Sequence, residues 1–167
     1  MKKEITTLNN EVLRIKTEKV ADPTSMTTKS IIKDMRDTLK KTPNGVGLAA
    51  PQIGISQKVF IIDRNLAKQL DISDVFINPE MTKKSFRKDK LEEGCLSVPG
   101  IYGFIKRHKA VEAQAYDQLG QKFTVKAEGL LCQIIQHEVD HLNGILFIDK
   151  AMETFVVETE KRRNLKN

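Results

Sequence analysis

The hexapeptide Gln136-His137-Glu138-Val139-Asp140-His141 constrains this chain more than any other stretch. An α-helix turns by about 100° per residue, so His137 and His141, four apart, return to one face and can offer two imidazoles to one cation. Glu138 directly follows the first histidine. Its carboxylate therefore reaches the neighbourhood of such a cation without aiming at it, the arrangement that metal-assisted hydrolysis requires. The competing reading is a polar helix face with two solvated histidines. The chain has only three histidines, and two of them fall at ligand spacing. A third ligand decides the matter.

Cys95 is the candidate. The stretch Glu92-Glu93-Gly94-Cys95-Leu96-Ser97-Val98-Pro99-Gly100 is too short and too proline-punctuated for a helix. One thiolate and two imidazoles make a three-ligand site that leaves a fourth tetrahedral position for water, as catalytic rather than closed structural sites do. Cys132, the other cysteine, lies five residues before His137, about 140° round the helix. It reads as a small buried residue pointing away from the ligand face. No secretory signal argues for a disulfide between the two.

Around this centre the chain reads as α+β, with antiparallel or mixed sheets packed on a central motif helix. Residues 1–22 suggest an extended arm and turns. Asp22-Pro23-Thr24-Ser25 supplies capping chemistry for a helix from about Met26 to Lys41, with Ile31, Ile32, Met35 and Leu39 on its buried face. Lys58–Asp63 and Asp74–Asn78 read as buried strands, and Met81–Lys90 as an exposed strand or loop. Val111–Ala115 and Phe123–Val125, joined by Asp117-Gln118-Leu119-Gly120, read as a hairpin. The motif helix spans roughly Gly129–Leu142, closed by Gly144 in the left-handed conformation. Ile145–Ile148 is expected as a short strand and Met152–Arg163 as a short C-terminal helix.

The 167 residues are expected to form one domain, with 40% apolar and 30% charged residues. No apolar run approaches the roughly 20 residues of a membrane span, and no signal core follows Lys2-Lys3, so a cytoplasmic protein without membrane contact is expected. A net charge of +6 gathers in Lys83–Lys90 and in the tail Lys161, Arg162, Arg163 and Lys166. Such clusters favour polyanions, although runs of this length are common in basic proteins and read equally as solvated surface. Nothing fixes the oligomeric state, and a monomer is the default expectation.

Three stretches now combine. Gly45-Val46-Gly47-Leu48-Ala49-Ala50-Pro51-Gln52, Glu93-Gly94-Cys95-Leu96-Ser97 and Gln136–His141 resemble, in order, the three signature motifs of the peptide deformylase family. The resemblance extends to Asp34-Met35, Arg107 and Leu142-Asn143-Gly144, covering nearly the whole chain. It implies an enzyme that hydrolyses the formyl group from the N-terminal formylmethionine of nascent polypeptides and releases formate. One divalent ion per chain is implied, Fe2+ foremost, with Zn2+, Ni2+ or Co2+ able to replace it, held by Cys95, His137 and His141. In such a reaction hydroxide generated on the ion attacks the formyl carbon, and Glu138 takes the water proton and passes it to the leaving amine. The Gln52 amide and the Leu96 backbone N–H are the implied oxyanion donors.

The same resemblance gives the small residues a purpose. Gly45, Gly47 and Gly94 permit close backbone approach, so that the peptide adds as a short strand near Val46 and Gly94. Leu130, Gln133, Ile134 and His137 share one helical stripe. A methionine pocket is therefore expected from Val46, Leu130 and Ile134, with Glu93 and Gln133 at its edge. The chain departs from the family pattern in three places. Asn9–Arg14 keeps only a leucine-arginine pair of the usual arm, Tyr102 stands where many members carry arginine, and Gln133 makes the pocket rim more polar. A zinc endopeptidase and a basic module with a structural metal are the alternatives. The first should not need Cys95, and the second should offer a fourth protein ligand.

Overall fold

The structure is a computed structural model that describes residues 1–157. The basic tail and the end of the expected final helix lie outside the described residues. In chain order the elements are α1 (Met26–Lys40), β1 (Gly47–Ala49), β2 (Val59–Ile62), α2 (Arg64–Gln69), β3 (Val75–Lys84), β4 (Lys88–Cys95), β5 (Val98–His108), β6 (Ala110–Tyr116), β7 (Lys122–Glu128), α3 (Gly129–Leu142), α4 (Phe147–Lys150) and β8 (Glu153–Val156). The strands form a five-stranded sheet ordered β1-β2-β3-β6-β7 and a three-stranded sheet ordered β4-β5-β8. Every pairing within these sheets is antiparallel.

The unbroken apolar run of β2 has a direct cause: the strand is covered on both faces. Phe60 and Ile62 face α3 and join a core with Phe76, Val111, Ala113 and Val125. Val59 and Ile61 face α1 and pack with Ile32, Met35, Leu39, Val75 and Ile77. Phe60 stacks on Phe76 with ring centroids 4.5 Å apart. The helix α1 begins where the sequence places it, because the Ser25 hydroxyl accepts a hydrogen bond from Thr28 N at 3.1 Å.

The motif helix α3 lies between the two sheets. Leu131, Ile134, Ile135, Val139 and Leu142 belong to the core under the five-stranded sheet, while His137 and His141 meet residues of β4. Burial on both sides is why ten of its fourteen residues are inaccessible. The N-terminal arm crosses the end of this helix. Both the backbone N–H and the hydroxyl of Thr17 donate to the Leu142 carbonyl at 2.9 Å, satisfying a group that the helix itself leaves free. A short 3-10 turn at Glu11–Arg14, N-capped by Asn10, buries Leu13 against Val98, Ile105, Leu146 and Phe147.

Two expected elements are corrected. Ile145–Ile148 is not a strand. Its apolar side chains enter a turn and the start of α4, where Asp149 accepts from Leu146 N at 2.8 Å and Leu146 and Phe147 are buried. Short apolar runs fit buried helix and strand equally, and here the cap decides. A short C-terminal helix exists, but it is α4. Beyond Met152 the chain forms β8, which pairs with β5 through Ile101↔Val156 to Phe104↔Glu153; an open strand edge recruits the segment. The helix α2 was not expected from the sequence, nor was β5, whereas Met81–Lys90 resolves into the end of β3, a turn and the start of β4.

Gly144 adopts φ +72°, and a Cβ there would come within 2.6 Å of the Arg14 carbonyl oxygen. Left-handed strain alone costs a non-glycine residue about 1–3 kcal/mol. Gly144→Ala should therefore lower the urea midpoint by at least that equivalent, with the arm displaced; an unchanged midpoint would show that the arm does not press on this turn.

Candidate metal centre

The period of a strand sets the centre. On β4, Glu93 and Cys95 are two residues apart and point to the same side, toward α3, while Gly94 between them points away. After Cys95 the chain turns tightly, with Cys95 paired to Val98 although Gly94 pairs with Tyr102. This register shift leaves Pro99–Ile101 as a bulge and carries the Cys95 thiol beside α3. Four residues apart on α3, His137 and His141 complete the group: the donor atoms of Cys95, His137 and His141 all lie within 4.8 Å of one another. Cys95 Sγ is 3.1 Å from His141 Nε2.

Cys132 lies elsewhere, as its helical position requires. Its thiol donates to the His108 carbonyl at 3.2 Å, and Gln136 binds the same carbonyl and the His108 N–H. Among the described residues, Cys95, His137 and His141 form the group with donor geometry for a cation. A soft thiolate with two imidazoles suits iron, zinc, nickel or cobalt rather than calcium or magnesium.

The orientation of His137 comes from outside that group. Its Nδ1 lies 2.9 Å from Glu93 Oε2, which leaves Nε2 for the metal side of the ring. Glu93 in turn is held by two bonds from Arg107, at 2.7 and 2.9 Å. The same guanidinium donates to Asp140 at 2.5 Å, and Lys150 donates to the other Asp140 oxygen at 2.6 Å. Arg107 and Glu93 are both almost fully buried. Burial works to raise the Glu93 pKa, but the bonds from Arg107 and His137 prevail and hold it at about 2. Burial likewise opposes charge on His137, yet contacts with Cys95 and Glu93 raise it well above the ordinary range. Burial and the neighbouring His137 push His141 well below it.

Glu138 occupies a third direction. Among the described residues, two buried side-chain atoms lack any hydrogen-bond partner, Glu138 Oε2 and His141 Nδ1. Burial pushes the Glu138 carboxyl up to about 7, with Glu93 adding to the shift and His137 and Arg107 opposing it. A Cβ on Gly47 would sit 2.5 Å from Glu138 Oε1 and 3.0 Å from Ile134, so β1 approaches this carboxylate only because residue 47 is glycine. Gln52, in the 3-10 turn Ala50–Ile53, accepts from Ala49 N at 2.9 Å. That bond fixes the amide so that Nε2 points to Ser97 Oγ at 3.2 Å and Cys95 Sγ at 3.6 Å.

A cavity of about 470 Å3 opens onto this centre. It brings together every candidate residue that the sequence suggested except His141: Val46, Gly47, Gln52, Glu93, Gly94, Cys95, Leu96, Leu130, Gln133, Ile134, His137 and Glu138. Gln133 donates to the Glu92 carbonyl at 2.9 Å, which puts it at the rim. Tyr102 also lines the cavity, its ring lying where a Cβ of Gly94 would be. The sequence reading gave Glu93 to the pocket edge and did not foresee its bond to His137. It likewise missed the bridge through Arg107 and Asp140. The one signal was an arginine placed two residues after Ile105, on the buried side of an alternating strand.

Comparison with known proteins agrees with this geometry. The Polypeptide deformylase family matches residues 2–155. A peptide deformylase from Parasynechococcus marenigrum is 41% identical over 157 residues, covering 94% of this chain and 77% of that protein. The crystal structure of peptide deformylase from Thermotoga maritima superposes with a TM-score of 0.82 at 34% identity, covering 92% of this chain and 99% of that one. A Met-Ala-Ser-bound peptide deformylase from Acinetobacter baumannii superposes with a TM-score of 0.79 at 29% identity, covering 90% and 99%.

Removing one partner of a buried ion pair typically costs about 3–5 kcal/mol. Arg107→Met should lose stability on that scale, read from denaturant unfolding. The sign with pH is also fixed. Because the Glu93 pKa is depressed, the network stabilises the fold above the ordinary value of 4.5 and is lost as pH falls toward about 2. The variant should show a flatter acid limb; a parental one would show that this network carries no pH-dependent stability.

Proposed function

This chain belongs to the polypeptide deformylase family, and from that premise we propose that it hydrolyses the N-formyl group of formylmethionyl peptides, releasing formate and a free amino terminus. The observation that carries the reading is the convergence of Cys95, His137 and His141 on one face of a cavity with Glu138 and Gln52 beside them. Residues 1–167 are read as one catalytic domain, supported by a family match that spans most of the chain.

Cys95, His137 and His141 would hold one divalent ion, with Fe2+ as our expectation and Zn2+, Ni2+ or Co2+ compatible with the same donors. Bound there, such an ion supplies positive charge that acidifies water and polarises a carbonyl oxygen. Glu138 accepts the proton of the attacking water and returns it to the departing amine nitrogen. Its burial suits it to hold a proton near neutrality, and a cation held by Cys95, His137 and His141 would favour the ionised carboxylate. The Gln52 amide N–H group, locked by the Ala49 bond, donates to the formyl oxygen as charge develops, together with the Leu96 backbone N–H. Val46, Leu130 and Ile134 take the methionine side chain, with Gln133 and Glu93 at the edge. The peptide backbone lies along the β1 and β4 edges at Gly47 and Gly94.

No helix among the described residues is long and apolar enough to cross a membrane, and we place the enzyme in the cytoplasm, with its substrates. The basic tail at Lys161, Arg162, Arg163 and Lys166 would add transient attraction to the ribosome. A monomer is the simplest assembly for a site completed within one chain.

Cys95→Ser should lose the metal and activity together, whereas Cys132→Ser should keep both, judged by metal content and formate release from formyl-Met-Ala-Ser. Glu138→Gln should retain one equivalent of metal while kcat falls by about 10²–10⁴ or more. Loss of metal in Glu138→Gln, or near-parental turnover, would remove the general-base role. A parent enzyme that cleaves internal peptide bonds instead of releasing formate would overturn the deformylase reading itself.

The pocket makes a separate demand. Burying the side chain of methionine removes several methylene-sized groups from water, each worth about 0.8 kcal/mol. Formyl-Met-Ala-Ser should exceed formyl-Gly-Ala-Ser in kcat/KM by at least about tenfold. Equal values would mean that Val46, Leu130 and Ile134 do not receive that side chain.

A further inference from the structure

We propose that the turn between β3 and β4 is a docking site for single-stranded RNA, with Phe86 stacking on a base and the surrounding cations meeting phosphates. Phe86 is 99% exposed, far beyond any other aromatic residue among those described. It stands at the tip of the turn within Lys83-Lys84-Ser85-Phe86-Arg87-Lys88. A single exposed apolar residue is ordinary by itself; what sets Phe86 apart is its place among exposed cations on an ordered turn.

The tip is held rigidly. Ser85 N donates to the Ala110 carbonyl at 2.9 Å, Ala110 N donates to Ser85 Oγ at 3.1 Å, and Ser85 Oγ donates to the Arg87 carbonyl at 2.8 Å. Lys109 N donates to the Arg87 carbonyl at 3.0 Å, and His108 Nδ1 binds the Ser85 carbonyl at 2.6 Å. The β3–β4 and β5–β6 turns are thus tied side by side, and Phe86 is presented with its backbone already ordered. An ordered flanking backbone lowers the entropy lost when the ring is engaged.

The charges around it are unspent. Lys84, Arg87 and Lys88 at the β3–β4 turn, Lys109 at the β5–β6 turn and Lys106 within β5 are exposed and make no ion pair among the described residues. Their neighbours Lys83 and Lys90 are paired, with Glu112 and Glu153 respectively, and Asp89 is the one acid interrupting the run. Four exposed cations on the two tied turns, with Lys106 farther along β5, suit a polynucleotide, which alternates flat bases with phosphates. An anionic lipid surface fits less well, because insertion needs a contiguous apolar face and this tip offers a single ring. The choice of RNA over DNA rests on the deformylase reading, since the peptides that carry formylmethionine are made on RNA.

The test uses the full chain and a fluorescent oligouridylate of roughly 12 nucleotides, a length within the span of single-strand sites. Anisotropy is read at about 50 and about 200 mM salt, a range over which phosphate contacts weaken steeply. Phe86→Ala should weaken binding by roughly 5- to 100-fold, the worth of one stacked base, with the salt slope unchanged. The double variant Lys88→Gln, Lys106→Gln should lower the slope by about 1.4, as the loss of two phosphate contacts requires. Formate release should be parental in both, because none of these residues lines the cavity. Parental affinity in Phe86→Ala overturns the proposal. So does binding that vanishes only when residues 158–167 are removed, tighter binding to oligodeoxythymidylate, or preference for phosphatidylserine vesicles over RNA. A chain that binds RNA as described but releases no formate would sink the function above and leave this surface standing.

Discussion

The buried guanidinium of Arg107 is the interaction on which the rest of the site depends. It binds Glu93 on β4 and Asp140 on α3 at once, and Lys150 on α4 completes the charge balance at Asp140. The β4–β5 hairpin and α3 are thereby fixed to one planar group, with α4 joined to it through Asp140. An arginine suits this task because its donors form a rigid fork that matches two carboxylates without searching rotamers. Through Glu93 the fork sets the ring of His137, and because Cys95 follows Glu93 by one strand period, the strand that orients one ligand also delivers another.

Close approach carries equal weight. The Glu138 carboxylate is buried against β1, and that contact exists only because residue 47 has no side chain. Burial is what raises the carboxyl pKa, so the glycine acts on acid-base chemistry through packing. Gly94 serves differently. It stands opposite Tyr102 in the β4–β5 register, and the tyrosine ring fills the space that a Cβ would need. Stacked against Phe155 at 6.3 Å, the ring forms part of the cavity wall.

What could be read from the sequence followed periodicity and motif. The helix α1, the buried strands β2 and β3, the β6–β7 hairpin and the span Gly129–Leu142 were legible because each has one dominant pattern over enough residues. The donor group of Cys95, His137 and His141 was legible because two lie at helical spacing and the third stands in a stretch that cannot be helix. Elements settled by partners were not. Leu146 and Phe147 belong to a turn and helix start fixed by the Asp149 cap, and Glu153–Val156 becomes a strand because β5 offers an open edge. Arg107 escaped for the same reason: its role depends on Glu93 and Asp140, 14 and 33 residues away.

The Arg107 network also bears on why the centre suits catalysis. Two further carboxylates stand beside the histidines, Glu93 bonded to His137 Nδ1 and Asp140 preceding His141 on α3. A fourth protein donor would close the coordination sphere and make the site structural. Both carboxylates are instead engaged by the guanidinium, and the Glu93 pKa of about 2 keeps it anionic and committed to that bond. Gln52, the remaining polar neighbour, has its oxygen tied to Ala49 N and so faces the centre with a donor that no cation would accept. Among the buried carboxylates of the described residues, Glu138 alone retains an unpartnered oxygen, and its place one residue beyond His137 turns it about 100° from the histidine stripe. Ion pairing and amide orientation thus leave Cys95, His137 and His141 as the group whose donor atoms converge.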